Sequence, residues 1–302
     1  MASSSNVKFD FLSLLRGLVC VGLVSSLTSA PALAEPRTYT DLESCVDALA
    51  VSSAVKPATG LEGITIVSWN AMKFSRDGAD KYLQELTQAA DFVFLQESRK
   101  DVAQTATATA SAIAGTRLER YFAAGYTSKE WISGVEVRSS HPADVLCKLS
   151  YLEPLLRTPK AVLVARIPFE DMTLLLINVH AINFTITTSA YRSQLASLTR
   201  LLNAHSGAAI VGGDLNTWNR WRTAALEEFS KSSQLQEVRF EPDRRSEHFG
   251  SKVDTFLIRG LLASASKALP TEASDHHGIK TRLSPAPRVD SHAATASPAP
   301  ER

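Results

Sequence analysis

Polar side chains stand where apolar, strand-like runs stop. Residues 208–211 (Ala-Ala-Ile-Val) lead into Gly212-Gly213-Asp214-Leu215-Asn216-Thr217-Trp218. The glycines let the backbone turn sharply as the strand ends, and a spacing of two puts Asp214 and Asn216 on one side of an extended segment. A carboxylate beside an amide at such a place can hold and activate a water molecule. The pattern recurs at Asn70 after residues 64–69, at Gln96-Glu97 after 92–95, at His180 after 174–179, and in the Asp275-His276 loop before 279–283. Turn chemistry explains one such residue. Several in one chain imply strand ends converging on one sheet edge. The convergent set contains acids, amides and imidazoles but no cysteine. Its hard oxygen donors suit Mg2+ or Mn2+, and the missing thiolates argue against structural zinc.

These residues need a scaffold of buried strands and covering helices. The runs 64–69, 92–95, 161–167, 174–179, 208–211, 253–258 and 279–283 read as strands, rich in β-branched and aliphatic residues. Helical spacing marks 78–90, 191–205 with Leu195, Leu198, Leu201 and Leu202 on one face, and 221–229. Thr40-Asp41 can cap a short helix through Ala50. The Ala/Thr-rich run 101–114 predicts a surface helix, and 121–138, broken by Gly125 and Gly134, predicts short strands and turns.

The ends of the chain differ in character. Lys8 and Arg16 flank an apolar stretch at 17–27, too short to span a bilayer. Ala32-Leu33-Ala34 fits the small-x-small cleavage rule. Residues 1–34 therefore read as a signal peptide cleaved after Ala34, with export to a periplasm or the medium and no membrane-spanning segment left afterwards; an uncleaved anchor is the alternative. Residues 35–62 form a lead-in with linker-like 52–60, residues 63–284 a single domain, and the Pro/Ala/Ser-rich residues 285–302 a disordered tail. The net charge of +1 belongs to the signal segment, so the mature chain is near neutral and has no general attraction to nucleic acid. Of three cysteines, Cys45 and Cys147 remain after cleavage. In an exported chain they are a disulfide candidate, or else two buried thiols. A monomer is expected.

The ordered set Trp69-Asn70, Leu95-Gln96-Glu97, Asn178-Val179-His180, Gly213-Asp214-Leu215-Asn216, Val253-Asp254 and Ser274-Asp275-His276 resembles the endonuclease/exonuclease/phosphatase superfamily, across residues 64–283. Thr158-Pro159-Lys160, His180-Ala181-Ile182-Asn183-Phe184, Asp214-Leu215-Asn216-Thr217-Trp218 and Ile258-Arg259-Gly260 resemble an exported bacterial subgroup of it. The resemblance implies an α/β fold, a four-layer sandwich of two packed mixed sheets flanked by helices. It implies that Glu97 is the principal ligand of Mg2+ (or Mn2+), helped by Asn70 and Asp275. Asp214 with Asn216 would place the attacking water, and His276, oriented by Asp254, would lie against the phosphate; either Asp214 or His276 could take the proton. His180 would donate to a phosphate oxygen or protonate the leaving group, while Asn183 and Lys73 would contact substrate phosphate. His277 reads as a bystander or substrate contact, and His141, His205 and His248 as surface or turn residues. Trp131 and Trp221 read as core or lid residues.

The implied activity is an exported, metal-dependent phosphoesterase cleaving phosphodiesters, with nucleic acid the first candidate substrate. Abasic-site repair members carry an acid where Met72 stands, and an aromatic where Gly250-Ser251-Lys252 precedes Val253; both departures, and export itself, weaken a repair role. A sphingomyelinase-like lipid phosphodiesterase is the second candidate and calls for an exposed apolar loop, for which Trp131-Ile132 is a weak match. A sugar or inositol phosphate phosphatase is the third and calls for a basic ring, which Arg220, Arg222, Arg239, Arg244 and Arg245 could supply. A non-catalytic binding module on the same fold is the alternative of another class.

Overall fold

The structure, a computed structural model, describes residues 35–51, 63–102, 110–112, 118–169 and 172–287. The expected signal peptide, the linker-like 52–60 and most of the expected tail lie outside them. Two seven-stranded sheets and a small hairpin are formed among the described residues. The first sheet runs β1 (Arg37–Tyr39), β7 (Val145–Leu152), β8 (Pro159–Pro168), β9 (Thr173–His180), β10 (Ala208–Asp214), β14 (Asp254–Arg259), β11 (Gln236–Glu237). The second runs β15 (Leu261–Leu269), β16 (Gly278–Pro285), β2 (Ile64–Asn70), β3 (Phe92–Asp101), β6 (Trp131–Ser139), β5 (Glu119–Thr127), β4 (Ala110–Ala112). Strands β12 (Glu247–His248) and β13 (Ser251–Lys252) form the hairpin.

Alternation along each strand makes the layers. On β2, Ile64 and Ile66 face the core between the sheets, where they join Phe94, Leu163, Leu176, Ile210 and Phe256. Val67 and Trp69 face the opposite way, under helix α2 (Ala79–Gln88). On β9, Leu174 and Leu176 face inward, while Leu175 and Ile177 pack under helices α1 (Leu42–Ala50), α3 (Ser189–Ala204) and α4 (Arg220–Ser232). The result is the expected four-layer α/β sandwich. Each sheet has one parallel pair near its middle, β2 with β3 and β9 with β10. A parallel pair needs a crossover, and α2 and α3 supply the two crossovers. Parallelism sends both strands of each pair to the same edge, which is how polar strand ends collect.

Several expectations are corrected. Where the run 101–114 is described it is strand and not the expected surface helix: Asp101 closes β3, and Ala110–Ala112 pairs with β5, an edge pairing that overrides the helix propensity of alanine; residues 103–109 and 113–114 lie outside the described residues. The stretch 121–138 is a long antiparallel pair, and Gly125 falls at its register shift between Ala124 and Thr127, bending the pair instead of ending it. Strands β7 and β15 were not anticipated. The lead-in adds β1 parallel to β7 and packs α1, capped by Asp41 as expected, against the same core. Pro285 ends β16 and pairs with Leu261 instead of starting a tail.

Cys45 of α1 and Cys147 of β7 are bonded, with Cα atoms 5.9 Å apart and a sequence separation of 102. Closing so long a loop restricts the unfolded chain. Replacing both cysteines with serine is expected to lower unfolding free energy by about 2–4 kcal/mol. Denaturant midpoints of the double variant and of the reduced parent should fall together.

Candidate active site

Backbone geometry delivers the side chains. At the end of β10, Gly213 adopts φ +128°, and a Cβ there would lie 2.2 Å from the Val179 carbonyl oxygen and 2.8 Å from Gln96 Nε2. Only glycine admits this approach. Asp214 then stands opposite His180 of β9 and opposite Asp254 of β14. In β3 the pairing slips between Leu95 and Ser98, and Glu97 takes φ +49°. The bulge re-aims one side chain, so Glu97 reaches the edge from within a strand that continues past it.

The groups that converge are Asn70, Lys73, Glu97, His180, Asp214, Asp254 and His276. Asn70 Nδ2 donates to Asp214 Oδ2 at 3.1 Å. His180 Nε2 lies 3.6 Å from Asp214 Oδ2 and 3.9 Å from Glu97 Oε1. Lys73 forms an ion pair with Glu97 Oε2. His276 Nδ1 is 2.7 Å from Asp254 Oδ2, and its backbone is fixed by Trp69 Nε1 donating to His276 O at 3.1 Å.

Three expected residues make contacts around these groups. Asn216 donates its backbone N–H to Asp214 Oδ1 (3.0 Å) and its Nδ2 to Ala181 O (2.9 Å), so it positions Asp214 and the following loop. Asn183 Oδ1 accepts from Trp218 Nε1 at 2.7 Å, which orients its amide against that loop. Asp275 is exposed and groups with His248 and His276, their ligand atoms within 4.8 Å of one another. Ser274 Oγ links it back to the site, 2.7 Å from Asn70 O and 3.3 Å from Asp275 Oδ1.

Two residues were missed. Lys160 Nζ is 2.9 Å from His180 Nε2. An ammonium can only donate, so His180 Nε2 accepts and its proton sits on Nδ1. His248 is not a surface residue: its ring stacks on His276 at 4.4 Å and its buried Nε2 has no protein partner. It lies in a short hairpin without apolar periodicity, which left no sequence signal. His205 is likewise buried, its Nε2 3.1 Å from Ala208 O, and His141 packs against Phe92 and Phe169. Trp221 is neither core nor lid; it is exposed, with the Arg220 guanidinium over its ring. Two arginines of the expected basic ring are engaged elsewhere. Arg222 is buried and donates to the backbone of Ile182, Asn183 and Asn216, and Arg245 is occupied by Asp243 and Glu237.

Burial sets the electrostatics. Burial pushes the Asp214 carboxyl up to about 6; neighbouring Asp254 adds to this while the His276 cation opposes it. Burial also holds His180 well below its ordinary value, helped by the Lys160 ammonium. Burial would lower His276 too, but Asp254, with Asp214 and Asp275, outweighs it and raises the imidazole to about 10. At neutral pH the chain thus pairs an imidazolium at 276 with a neutral imidazole at 180. The donor set fits a divalent cation: Glu97, Asn70 and Asp214 offer oxygen, a positive charge already sits on Glu97 as Lys73, and the unpartnered His248 Nε2 adds a nitrogen donor beside Asp275.

The raised His276 value gives a sign. Its stabilising contribution is complete below the unfolded value near 6.5 and is lost as pH climbs through about 10. In metal-free protein, urea midpoints should fall across that window, and Asp254→Asn should flatten the fall. Ring 15N shifts of His276 should report imidazolium at pH 8 in the parent but not in the variant.

The profile described as "Endonuclease/Exonuclease/phosphatase family" matches residues 67–276. A UPF0294 protein of Yersinia pseudotuberculosis is 34% identical over 232 residues, 76% of this chain and 87% of that protein. One from Klebsiella pneumoniae is 34% identical over 237 residues, 78% of this chain and 87% of that protein. Among solved structures, an endonuclease/exonuclease/phosphatase family protein from Leptotrichia buccalis superposes with TM-score 0.57 at 15% identity, covering 73% of this chain and 99% of that one. The human Nocturnin catalytic domain superposes with TM-score 0.55 at 14% identity, covering 74% and 94%. With the fold, the gathered site and these matches in agreement, the chain belongs to the endonuclease/exonuclease/phosphatase family of phosphoester hydrolases.

Proposed function

We propose that the chain is an exported, divalent-metal-dependent hydrolase of phosphodiester bonds in which water is the nucleophile. The observation that carries this reading is the convergence of Asp214, His180, the Asp254–His276 pair and Glu97 at one sheet edge. Glu97 and Asn70, with Asp275 and His248 at the margin, would hold Mg2+ or Mn2+, which when bound neutralises phosphate oxygens in the transition state. Asp214, fixed by the Asn70 amide and the Asn216 N–H, orients the attacking water. The His276 imidazolium donates to a phosphate oxygen, held in aim by Asp254. Lys160, already donating towards His180, would supply the leaving oxygen with the proton that His180 Nε2, as an acceptor, cannot.

Export rests on the signal-like residues 1–34 and is supported by the Cys45–Cys147 bond, which belongs to an oxidising compartment. Nucleic acids and lipids both contain the bond, so bis(4-nitrophenyl) phosphate and plasmid are the first substrates to offer. Hydrolysis should require Mg2+ or Mn2+ and stop with EDTA. Asp214→Ala and His276→Ala should each cost roughly 10²–10⁴-fold in kcat, and Lys160→Met roughly 10²-fold. The acid limb of kcat/KM should fall at or below about 6, where Asp214 loses its charge. Turnover insensitive to EDTA, or equal in Asp214→Ala, would end the reading. An inert but folded parent would favour the binding module.

A further inference from the structure

The groove beside the site opens onto a rim that the hydrolytic chemistry does not use. One cavity of about 310 Å3 is lined by Lys73, Glu97, Lys160 and His180 and also by Trp131, Leu156 and Phe184. Leu156 and Phe184 belong to two neighbouring loops, 153–158 and 181–188. Their other large apolar residues, Leu155 and Ile186, line a second hollow between the same loops. All four face solvent: Leu155 is 53% exposed, Leu156 57%, Phe184 49% and Ile186 87%.

This exposure is built. Glu153 is buried, and its Oε1 accepts from Asn183 N (2.7 Å) and Phe184 N (3.2 Å), while its Oε2 accepts from Thr158 Oγ1 (2.5 Å). One carboxylate therefore closes the first loop and ties the second to it, so the four side chains cannot fold back into the core. Large apolar groups fixed outward in one patch mark a surface that meets something apolar.

Charge selects the partner. The two loops carry only Glu153, which is consumed internally, and Arg157. A nucleic-acid backbone is gripped by several lysines and arginines, and this rim does not supply them. Three of the four rim side chains, Leu155, Leu156 and Ile186, are aliphatic and make poor stacking platforms for bases. Aliphatic anchors with one cation and no outward carboxylate match the boundary between headgroups and acyl chains.

We propose that the rim formed by loops 153–158 and 181–188 docks on a phospholipid bilayer, and that the substrate is a lipid phosphodiester drawn from it. The substrate half rests on the phosphodiesterase reading above. With the phosphate at Lys160 and His180, the lipid's apolar portion lies along Trp131, Leu156 and Phe184. Water oxygen forms the new bond to phosphorus and the ester P–O bond breaks. One water proton passes to the Asp214 carboxylate, and the leaving alkoxide takes a proton from Lys160. The products are a phosphomonoester and an alcohol.

The test uses the mature chain and Leu155→Ser/Ile186→Ser, two residues that do not line the catalytic groove. Both proteins are mixed with vesicles of phosphatidylcholine and phosphatidylglycerol and sedimented, and both are assayed on soluble bis(4-nitrophenyl) phosphate and on the vesicles. The parent should co-sediment and the double variant should lose about tenfold or more in partitioning. Soluble turnover should match between them, while release of product from vesicles drops with the partitioning. A parent that stays in the supernatant yet hydrolyses the soluble ester overturns the docking proposal and leaves the phosphodiesterase reading standing. Co-sedimentation without turnover of any phosphodiester overturns the substrate assignment together with that reading, while the docking surface survives. Single-strand binding, or a dimer, that disappears in the double variant without vesicle binding assigns the rim to nucleic acid or to a second copy, and overturns the proposal.

Discussion

Between the two sheets, Gln96 Nε2 donates to Asn178 Oδ1 at 2.7 Å, and the site depends on that contact. Both amides are fully buried. Asn178 Nδ2 donates onward to the Leu95 and Glu136 carbonyls, and Gln96 Nε2 also reaches Ser68 Oγ. Sheet-on-sheet packing by apolar side chains alone tolerates sliding. A buried amide that must find its partner does not, because each unmet donor costs about 1–3 kcal/mol. The network therefore fixes β3 against β9 at one relative position.

The residues that fix the sheets precede the residues gathered at the candidate site by one or two places. Ser68 precedes Asn70, Gln96 precedes Glu97, Asn178 precedes His180, and Gly213 precedes Asp214. Gly213 joins the set because a Cβ there would press on both amides, 2.8 Å from Gln96 Nε2 and 3.1 Å from Asn178 Oδ1. Strand spacing does the rest: two residues on is the same side of a strand, one turn of pleat nearer the edge. Precision at the surface is inherited from a polar contact in the interior.

This explains what the sequence could and could not reveal. Apolar runs with polar ends were legible because the strands are buried on both faces, but the sandwich itself was implied by the resemblance of the ordered motifs, not by the pattern of runs. The parallel pairs and their helical crossovers emerged only in the fold. Glu97 was legible as a residue type, but its bulge was not, since nothing in Leu-Gln-Glu-Ser announces a positive φ. Lys160 lay unseen because it meets His180 only through the antiparallel register of β8 on β9, where Val162 opposes Val179. His248 depends on a contact between a hairpin and a loop nearly thirty residues later. Conversely, Arg222 reads as a free cation in sequence, and only the fold shows its guanidinium spent on three backbone carbonyls. Local pattern identifies strands; it does not say which side chains they use up.

Charge balance closes the argument. Glu97, Asp214 and Asp254 bring carboxylates to a largely buried place, and Lys73, Lys160 and the His276 imidazolium oppose them. Buried charges persist only when compensated, so the metal-free chain is already near neutrality here. In the proposed hydrolase, loading a divalent cation onto Glu97 would require the cation now there to leave, and Lys73 could do so because its side chain is part exposed on a flexible stem. Once released, it would stand beside the groove proposed to receive a phosphodiester. On that reading a single lysine would serve both states, holding the carboxylate in place before the metal arrives and offering its charge to the substrate afterwards.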